Sequence, residues 1–275
     1  MIVPSCAQVW NYRVTAPECA PVQSEAMEEV RRKCEQLGRE PRVWFRVPGY
    51  VVRNVTPDLV ESVVHHMATQ FAKDETFCSN SKLTEDPLSM KEATDWWRKI
   101  VSSQNLTVVA LAEGSPGADL QPITVPRIPL AGANVLILSY KDDPPKPPLE
   151  EMFQGSAMRK AVGPFLSISA MVNCFSRYNV DVYMDAAGLS VHTDHRGHGL
   201  GDALLKARFE ICRALGVKVT ETVFTGIAAQ KVALRCGFEA IKEVLYQDIK
   251  NKDGEIQFPK VPPTNKVLLT VKIID

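Results

Sequence analysis

The stretch "RGHGLG" at residues 196–201 constrains the fold more than any other part of the sequence. It follows an apolar, strand-like segment at 186–195 and precedes a helical pattern in which Leu204, Ile211 and Leu215 form one apolar stripe. Glycines at alternate positions leave the backbone N–H groups of this turn accessible, and the N-terminus of the next helix favours an anionic ligand. The sequence therefore predicts a strand–turn–helix unit that binds an anion. A tight turn whose glycines serve packing alone is the alternative.

Two common phosphate-binding motifs fit this turn poorly. A P-loop requires Lys and then Ser or Thr after its last glycine, whereas Gly201 is followed by Asp202 and Ala203. A dinucleotide-binding turn has GxGxxG spacing in the first βαβ unit and an acidic residue about 20 positions later. Here the spacing is GxGxG late in the chain, and Glu221, at a suitable distance, falls within a short predicted strand. The pattern [Q/R]-x-x-G-x-[G/A], read from Arg196, fits instead.

Strand-like and helical segments alternate along the rest of the chain, which predicts one α/β domain at 41–275. Residues 1–40 are predicted to form an N-terminal extension with a charged helical stretch that ends at Gly38. Strands are expected at 42–47, 50–56, 106–113, 133–140, 182–193, 217–224 and 266–274. Helices are expected at 56–75, 89–103, 150–177, 200–215 and 228–238.

Composition limits the partners of the chain. Lys and Arg number 32 and Asp and Glu number 32, and a net charge of zero argues against a nucleic-acid partner. Membrane spans need roughly 18 consecutive apolar residues, and no window approaches that length. Seven cysteines without a CxxC pair indicate reduced thiols, and the N-terminus lacks a secretory signal pattern. We therefore expect a cytoplasmic, monomeric protein that does not associate with a membrane.

No metal site is expected. His192, His195 and His198 recur every third residue, but that spacing along a strand and turn does not place them on one face. Cysteines or carboxylates that would complete a closed site are not clustered near them. His198 is instead interpreted as part of the anion-binding turn.

The motif order continues beyond the turn, where a strand and a short helix lead to "CGF" at 236–238. This order resembles the C-terminal half of the GNAT superfamily of N-acetyltransferases. The resemblance implies a GNAT fold of the α/β class, a mixed, splayed central β-sheet flanked by helices on both faces. It also implies acetyl-CoA as co-substrate, held by the strand before the turn and by the turn itself. The implied donor contacts are Leu189, Ser190, Val191, Arg196, Gly197, His198, Gly199, Leu200, Gly201 and Asp202.

Residues 73–77, "KDETF", resemble the "KDEPL" stretch of the insect arylalkylamine N-acetyltransferase branch, although Pro and Leu are replaced. The resemblance implies that Glu75 is the general base, with Asp74 as the neighbour that could exchange roles with it. That branch carries two hydroxyl groups after the next strand; Thr225 retains the first, and Ala229 lacks the second. Thr225 is therefore a candidate catalytic residue, or a strand-end residue that bonds its own backbone.

The implied reaction is acetyl transfer to a small primary amine, an arylalkylamine such as dopamine, tyramine or serotonin. Other amines such as agmatine, or longer acyl donors, are alternatives within the branch. A Tyr that protonates the departing thiolate in many superfamily members is replaced by Ala233. Ala229 and Ala233 thus keep open a second hypothesis, a non-catalytic acyl-CoA-binding regulatory module.

Overall fold

A computed structural model describes residues 24–37, 40–262 and 265–275. Its centre is an eight-stranded sheet with the order β1-β2-β3-β4-β5-β6-β8-β7. Every strand pair is antiparallel except β5 with β6, which is parallel. The strands are β1 (Val43–Val47), β2 (Tyr50–Asn54), β3 (Val108–Ala112), β4 (Gly132–Tyr140), β5 (Val182–Val191), β6 (Val219–Phe224), β7 (Glu239–Leu245) and β8 (Lys266–Ile273).

Helices cover both faces of this sheet, as the sequence predicts. Along β4, Ala133 and Val135 point into one apolar layer, whereas Leu136 and Leu138 belong to the layer on the opposite face. The helices are α1 (Glu25–Leu37), α2 (Val60–His66), α3 (Ala72–Asp74), α4 (Thr76–Asn80), α5 (Pro87–Gln104), α6 (Leu149–Met152), α7 (Ser156–Ser169), α8 (Cys174–Tyr178), α9 (Leu200–Leu215) and α10 (Ile227–Arg235). The predicted fold class, a splayed α/β sheet between helices, is confirmed. No helix in the described ranges is long and apolar enough to cross a membrane.

The predicted N-terminal extension contributes to the core through α1. Met27, Val30 and Cys34 are buried in the apolar layer that also contains the inner face of α9. Residues 1–23 and 38–39, with the expected helix end at Gly38, lie outside the described residues. The domain boundary at residue 41 therefore stays a prediction.

Two predicted helices are divided in the structure. The segment expected at 56–75 consists of α2, a π-helical turn at Met67–Phe71 and the short α3, and Glu75 then leaves the helix with ψ 132°. The helix expected at 150–177 is replaced by three shorter ones, α6, α7 and α8. Apolar periodicity correctly predicted helical structure, but it could not show where each helix is interrupted.

Gly188 explains how the π-helical turn reaches the sheet. The β4–β5 register shifts beside this residue, and Gly188 has φ +146°, a conformation that other residues rarely adopt. A Cβ atom there would overlap Met67 Cε and lie 3.0 Å from the Phe71 ring. The carbonyl group of neighbouring Ala187 accepts a 3.3 Å hydrogen bond from Trp97 Nε1. This close approach brings the residues after Phe71 over the end of β5.

The sheet opens between β5 and β6. In the part of the chain that the structure describes, these strands are paired only at Met184 and Thr220. Leu189–Val191 lie beyond that pair. At these residues, the edge of β5 that faces β6 therefore has no partner strand. The glycine turn follows directly, so the opening and the turn lie at the same end of the sheet.

Candidate active site

A cavity of about 880 Å³ lies in the opening between β5 and β6. The α3–α4 junction, α7, the glycine turn and the start of α10 also line it. The lining includes Glu75, Thr225 and all the predicted donor contacts except His198, namely Leu189, Ser190, Val191, Arg196, Gly197, Gly199, Leu200, Gly201 and Asp202. The structure therefore brings nearly all sequence-predicted site residues to one cavity.

The three glycines of the turn have two different structural roles. Gly197 and Gly199 have φ +82° and +75°, in the left-handed region that glycine adopts without strain. Gly201 lies in the first turn of α9, where a Cβ atom would sit 3.4 Å from Val232 of α10. The first N–H groups of a helix have no partner within the helix, so this end of α9 offers them to an anion in the cavity.

Arg196 connects the glycine turn to the segment that contains Glu75. Its Nη2 atom is paired with Asp74 Oδ2, and its Nε atom donates a 3.2 Å hydrogen bond to the Val191 carbonyl oxygen. Both charged side chains are about half exposed. Asp74, the alternative base in the sequence analysis, is thus engaged by an arginine from the donor side of the cavity.

Asp202 is neutralised by a partner from α10. Its two carboxylate oxygens accept hydrogen bonds of 2.8 and 2.5 Å from Arg235 Nε and Nη2. These hydrogen bonds from Arg235 hold the pKa of Asp202 below its usual range. The pairing offsets a negative charge next to the N-terminus of α9, where an anionic ligand would otherwise be repelled.

His198 is exposed and is not among the residues that line the cavity. Its Nδ1 atom lies 3.0 Å from the Arg196 carbonyl oxygen, and its ring packs 5.5 Å from the Tyr50 ring. His195 Nδ1 forms a 3.0 Å hydrogen bond with the Tyr50 hydroxyl group, and His192 Nδ1 accepts one from the Asp194 N–H group. Each histidine is therefore used in local packing. Among the described residues, no group of three His, Cys, Asp or Glu side chains is arranged to hold a metal ion.

Glu75 and Thr225 are in direct contact. Glu75 Oε1 accepts a 2.5 Å hydrogen bond from Thr225 Oγ1 and a 3.0 Å bond from the Phe77 N–H group. Glu75 Oε2 accepts a 2.7 Å bond from the Cys78 N–H group, so the carboxylate also caps α4. Three donors thus hold an acceptor-only group at the cavity wall, at the point where the chain leaves α3.

Sequence reasoning missed Tyr246, which supports this contact from behind. Its hydroxyl group donates a 3.0 Å hydrogen bond to the Thr225 carbonyl oxygen. The side chain is almost fully buried, and burial raises the pKa of its phenol well above the usual value. Tyr246 follows β7 and precedes a loop, so no local pattern connects it with residue 225.

An apolar half of the cavity lies beyond Glu75. Phe71 and Trp97 meet edge to face with centroids 5.9 Å apart, and both line the cavity. Trp96, Phe77 and Phe165 add aromatic surface. Of the two replaced positions, Ala229 lines the cavity, whereas Ala233 is packed against α9 with no exposed surface.

Three buried charged residues lie where β5 and β6 come together. Arg208 has no exposed surface; its Nη2 donates to the carbonyl oxygens of Met184 and Glu221 at 2.9 and 2.7 Å. Its Nη1 donates a 2.6 Å bond to Thr222 Oγ1, so one guanidinium connects both strands. Asp185 and Glu221 lie beside it, and burial raises the pKa of each carboxyl group. No sequence pattern indicated this cluster.

Comparison with known proteins agrees with the geometry. Residues 166–238, from α7 to the end of the "CGF" segment, match the acetyltransferase (GNAT) family. The glycine turn, α9, β6 and α10 all fall inside this match. The chain is therefore an acyltransferase with a GNAT domain, the family whose members bind acetyl-CoA.

Solved structures of insect enzymes share this fold. The candidate arylalkylamine N-acetyltransferase 7 of the mosquito Aedes aegypti is 27% identical with a TM-score of 0.74, over 86% of this chain and 96% of that one. Arylalkylamine N-acetyltransferase 2 of Aedes aegypti is 22% identical with a TM-score of 0.68, over 82% and 99%. A polyamine N-acetyltransferase of Drosophila melanogaster that forms N-acetylagmatine is 18% identical with a TM-score of 0.64, over 82% and 99%. Comparison with the curated proteins finds no match.

Proposed function

We propose that this protein transfers the acetyl group of acetyl-CoA to a small primary amine, with Glu75 as the general base. The observation that carries the proposal is the Glu75–Thr225 hydrogen bond of 2.5 Å at the wall of the cavity that the glycine turn also lines. A fixed proton acceptor and an anion-binding turn share one opening. That arrangement suits direct transfer between two bound substrates.

The reaction divides between these residues. The acceptor enters as an ammonium ion, and Glu75 removes a proton so that the nitrogen lone pair attacks the thioester carbonyl carbon. The oxyanion that forms is stabilised by a backbone N–H group of β5 at about Val191. Collapse breaks the carbon–sulfur bond, the amide nitrogen loses its second proton, and the thiolate takes up a proton to leave as CoA thiol. Thr225 orients the Glu75 carboxylate through its hydroxyl group.

The donor is held by the remaining residues at this end. The unpaired side of Leu189–Val191 offers strand-like hydrogen bonds to the amide groups of the pantetheine arm. Backbone N–H groups of residues 197–201 and the N-terminus of α9 receive the pyrophosphate. Arg196 adds a positive charge, since its guanidinium is only half-buried beside the turn.

The arylalkylamine class is favoured by the aromatic wall of the cavity. Phe71, Phe77, Trp96 and Trp97 offer apolar faces close to the α3–α4 junction. The mosquito structure with 27% identity is a candidate enzyme for the same class of amine. Agmatine-like acceptors are the second candidate, because the far end of the same cavity contains the Asp185 carboxylate.

Thiol release tests the proposal. The protein is incubated with acetyl-CoA and a panel that contains phenethylamine, tyramine, dopamine, serotonin and agmatine, and free CoA thiol is followed. We expect amine-dependent release with at least one member. Measurable CoA binding without release on any amine would contradict the proposal and support the non-catalytic binding module.

A further inference from the structure

Two adjacent carboxyl groups, one lining the cavity and one behind it, lie at the end of the cavity opposite Glu75. Met184 and Thr220 are parallel partners, so the next residues, Asp185 and Glu221, lie side by side on the α7 face of the sheet. Asp185 lines the cavity with 8% of its surface exposed, and Glu221 lies behind it with 1% exposed. Two carboxylates in such a position need compensating charge or hydrogen bonds.

Neither carboxyl group has an adequate partner in the described ranges of the chain. Asp185 Oδ1 accepts a 2.6 Å bond from the Ala186 N–H group, and Glu221 Oε2 accepts a long 3.4 Å bond from the Ser169 hydroxyl group. Glu221 Oε1 is buried and has no hydrogen-bond partner among the described residues. A buried, unpaired acceptor of this kind is costly unless a ligand supplies the missing donor.

The cations nearby do not form ion pairs with these groups. Arg208 extends from α9 on the opposite face and also lines the cavity; its Nη atoms donate to two backbone carbonyl oxygens and to Thr222, and its Nε has no hydrogen-bond partner among the described residues. Lys146, an exposed residue in the Pro-rich stretch 144–148, also lines the cavity, but no ion pair within 4 Å joins it to Asp185 or Glu221 in the described chain. Burial raises the pKa of both carboxyl groups, so this pair favours holding a proton until a cation takes its place.

The two ends of the cavity are separated by apolar surface. Thr225, which contacts Glu75, follows Glu221 by four residues on the same chain, a distance of roughly 13 Å along an extended strand. The same cavity that Glu75 and Asp185 line also has four apolar side chains in its wall, those of Ile137, Ala161, Val162 and Phe165. A primary amine at Glu75 would thus extend an apolar body along α7 towards Asp185.

We propose that Asp185, with Glu221 behind it, binds a second cationic group of the acceptor, so that an elongated amine with a remote positive charge is preferred to an uncharged amine of equal length. This inference rests on the proposed function, because it assigns the far end of the same acceptor. A remote ammonium or guanidinium group supplies both the missing charge and the missing hydrogen-bond donors. A plain alkylamine of equal length supplies neither.

Matched pairs of amines test the preference. Cadaverine is compared with pentylamine and diaminooctane with octylamine at saturating acetyl-CoA, and the diamine values are corrected for two equivalent amines. We expect kcat/KM to be at least about tenfold higher for a diamine than for its partner, the range of one charged hydrogen bond. Ratios near one for both pairs would overturn the proposal. The kcat/KM ratio of tyramine to phenethylamine is compared with the two diamine-to-monoamine ratios. If the tyramine ratio is the largest, this end of the cavity prefers a neutral hydrogen-bond donor, and the proposal is overturned.

Variants locate the effect at the proposed end of the cavity. Asp185→Asn is expected to bring the diamine-to-monoamine ratio close to one, whereas Asp181→Asn, just before β5 and paired with Lys141, keeps the wild-type ratio. Lys146→Ala removes a competing cation from an exposed position and is expected to raise the ratio; Lys141→Ala is its control. A wild-type diamine-to-monoamine ratio in Asp185→Asn would contradict the assignment. If Asp185→Asn does not fold, an unchanged ratio in Lys146→Ala would contradict it instead.

Binding separates this inference from the reaction itself. Calorimetry of diaminooctane and octylamine with CoA-saturated protein reports the charge preference even when no acetyl group moves. If no amine releases thiol but diaminooctane binds more tightly than octylamine, the proposed function fails and the cation site stands. If monoamines are acetylated and neither diamine is preferred, the cation site fails and the proposed function stands.

Discussion

Thr225 Oγ1 donates a 2.5 Å hydrogen bond to Glu75 Oε1, across 150 positions of sequence. One residue follows β6 and the other lies between α3 and α4, so the contact closes the cavity wall from both sides. The carboxylate also accepts hydrogen bonds from the N–H groups of Phe77 and Cys78. Glu75 therefore has two tasks, as proton acceptor in the proposed reaction and as N-cap of α4, and the two must be separated by experiment.

Glu75→Gln separates them, because the amide keeps the size of the side chain and one oxygen acceptor for the cap. We expect kcat to fall by roughly 10²–10⁴-fold, the usual contribution of a general base. Acetyl-CoA affinity is expected to stay close to that of the wild type, since the donor lies against β5 and the glycine turn. Steady-state kinetics and calorimetry with acetyl-CoA measure the two effects.

Asp86→Asn is the matched control, because Asp86 caps α5 through the Leu88 and Ser89 N–H groups and does not line the cavity. Asparagine likewise keeps one oxygen acceptor for the cap, so Asp86→Asn is expected to cost less than about 1 kcal/mol of unfolding free energy and to cause no specific loss of kcat. Normal turnover in Glu75→Gln would remove Glu75 from the mechanism. An equal loss of kcat in Asp86→Asn would assign the effect to helix capping.

Thr225→Val removes the hydroxyl group but keeps the shape of the side chain. The lost hydrogen bond to a charged group is worth about 1.5–3 kcal/mol, so we expect kcat to fall by roughly 10–100-fold. Thr225→Ser restores the hydroxyl group and is expected to recover most of the activity. A Thr225→Ser enzyme as slow as Thr225→Val would show that the methyl group, and not the hydrogen bond, matters.

Local sequence was sufficient where local backbone geometry defines the site. Gly197 and Gly199 have the positive φ angles that a glycine-spaced turn indicates, and α9 has the predicted bounds 200–215, with Gly216 as its C-cap. The apolar stripe of α9 correctly predicted its buried face. These features depend on residues within one or two turns of each other, which is the range of periodicity and capping rules.

Contacts between distant segments could not be predicted in the same way. Motif resemblance selected Glu75 and Thr225 separately, but nothing in either stretch indicated that the two side chains meet. Arg208 falls within a helix with charged residues on its outer face, and only the tertiary structure shows that it is buried. Asp185 and Glu221 become neighbours because β5 and β6 are parallel partners, a pairing that neither strand sequence encodes alone.

The ion pair between Asp74 and Arg196 is expected to compete with donor binding. Asp74→Asn frees the guanidinium for the pyrophosphate, and a half-exposed pair worth up to about 1 kcal/mol implies up to about fivefold tighter acetyl-CoA binding. Arg196→Gln should weaken binding instead. Calorimetry at low and high salt checks the origin, because screening reduces the difference between the variants. Weaker binding in Asp74→Asn would contradict the competition.

Arg208→Met tests the guanidinium that connects β5 and β6. Removing a buried charge that has partners on both strands, next to two carboxylates, is expected to lower the free energy of unfolding by about 3–5 kcal/mol. Arg208→Lys cannot reproduce the forked hydrogen bonds and should be intermediate. Arg213→Met, exposed on the same helix and paired with Glu210, is the control and should change stability by less than about 0.5 kcal/mol in urea unfolding.

His66 gives the protein an acid-sensitive stability. The ring is 4% exposed, and burial, with a contribution from His192, lowers its pKa to about 4. An unfolded His has a pKa of about 6.5, so below that pH the unfolded state binds more protons than the folded state. Stability should therefore fall as the pH drops from about 6.5 towards about 4, and a shift of this size gives a loss of about 2 kcal/mol at pH 5.

Urea unfolding at pH 7 and pH 5 measures this loss in matched variants. His66→Gln removes the titrating ring and is expected to show a smaller loss between the two pH values than the wild type. His65→Gln, the exposed neighbour that faces Arg127, should keep the wild-type loss. His66→Gln has no titrating ring at position 66. If it loses as much unfolding free energy between pH 7 and pH 5 as the wild type does, groups other than His66 cause the acid sensitivity.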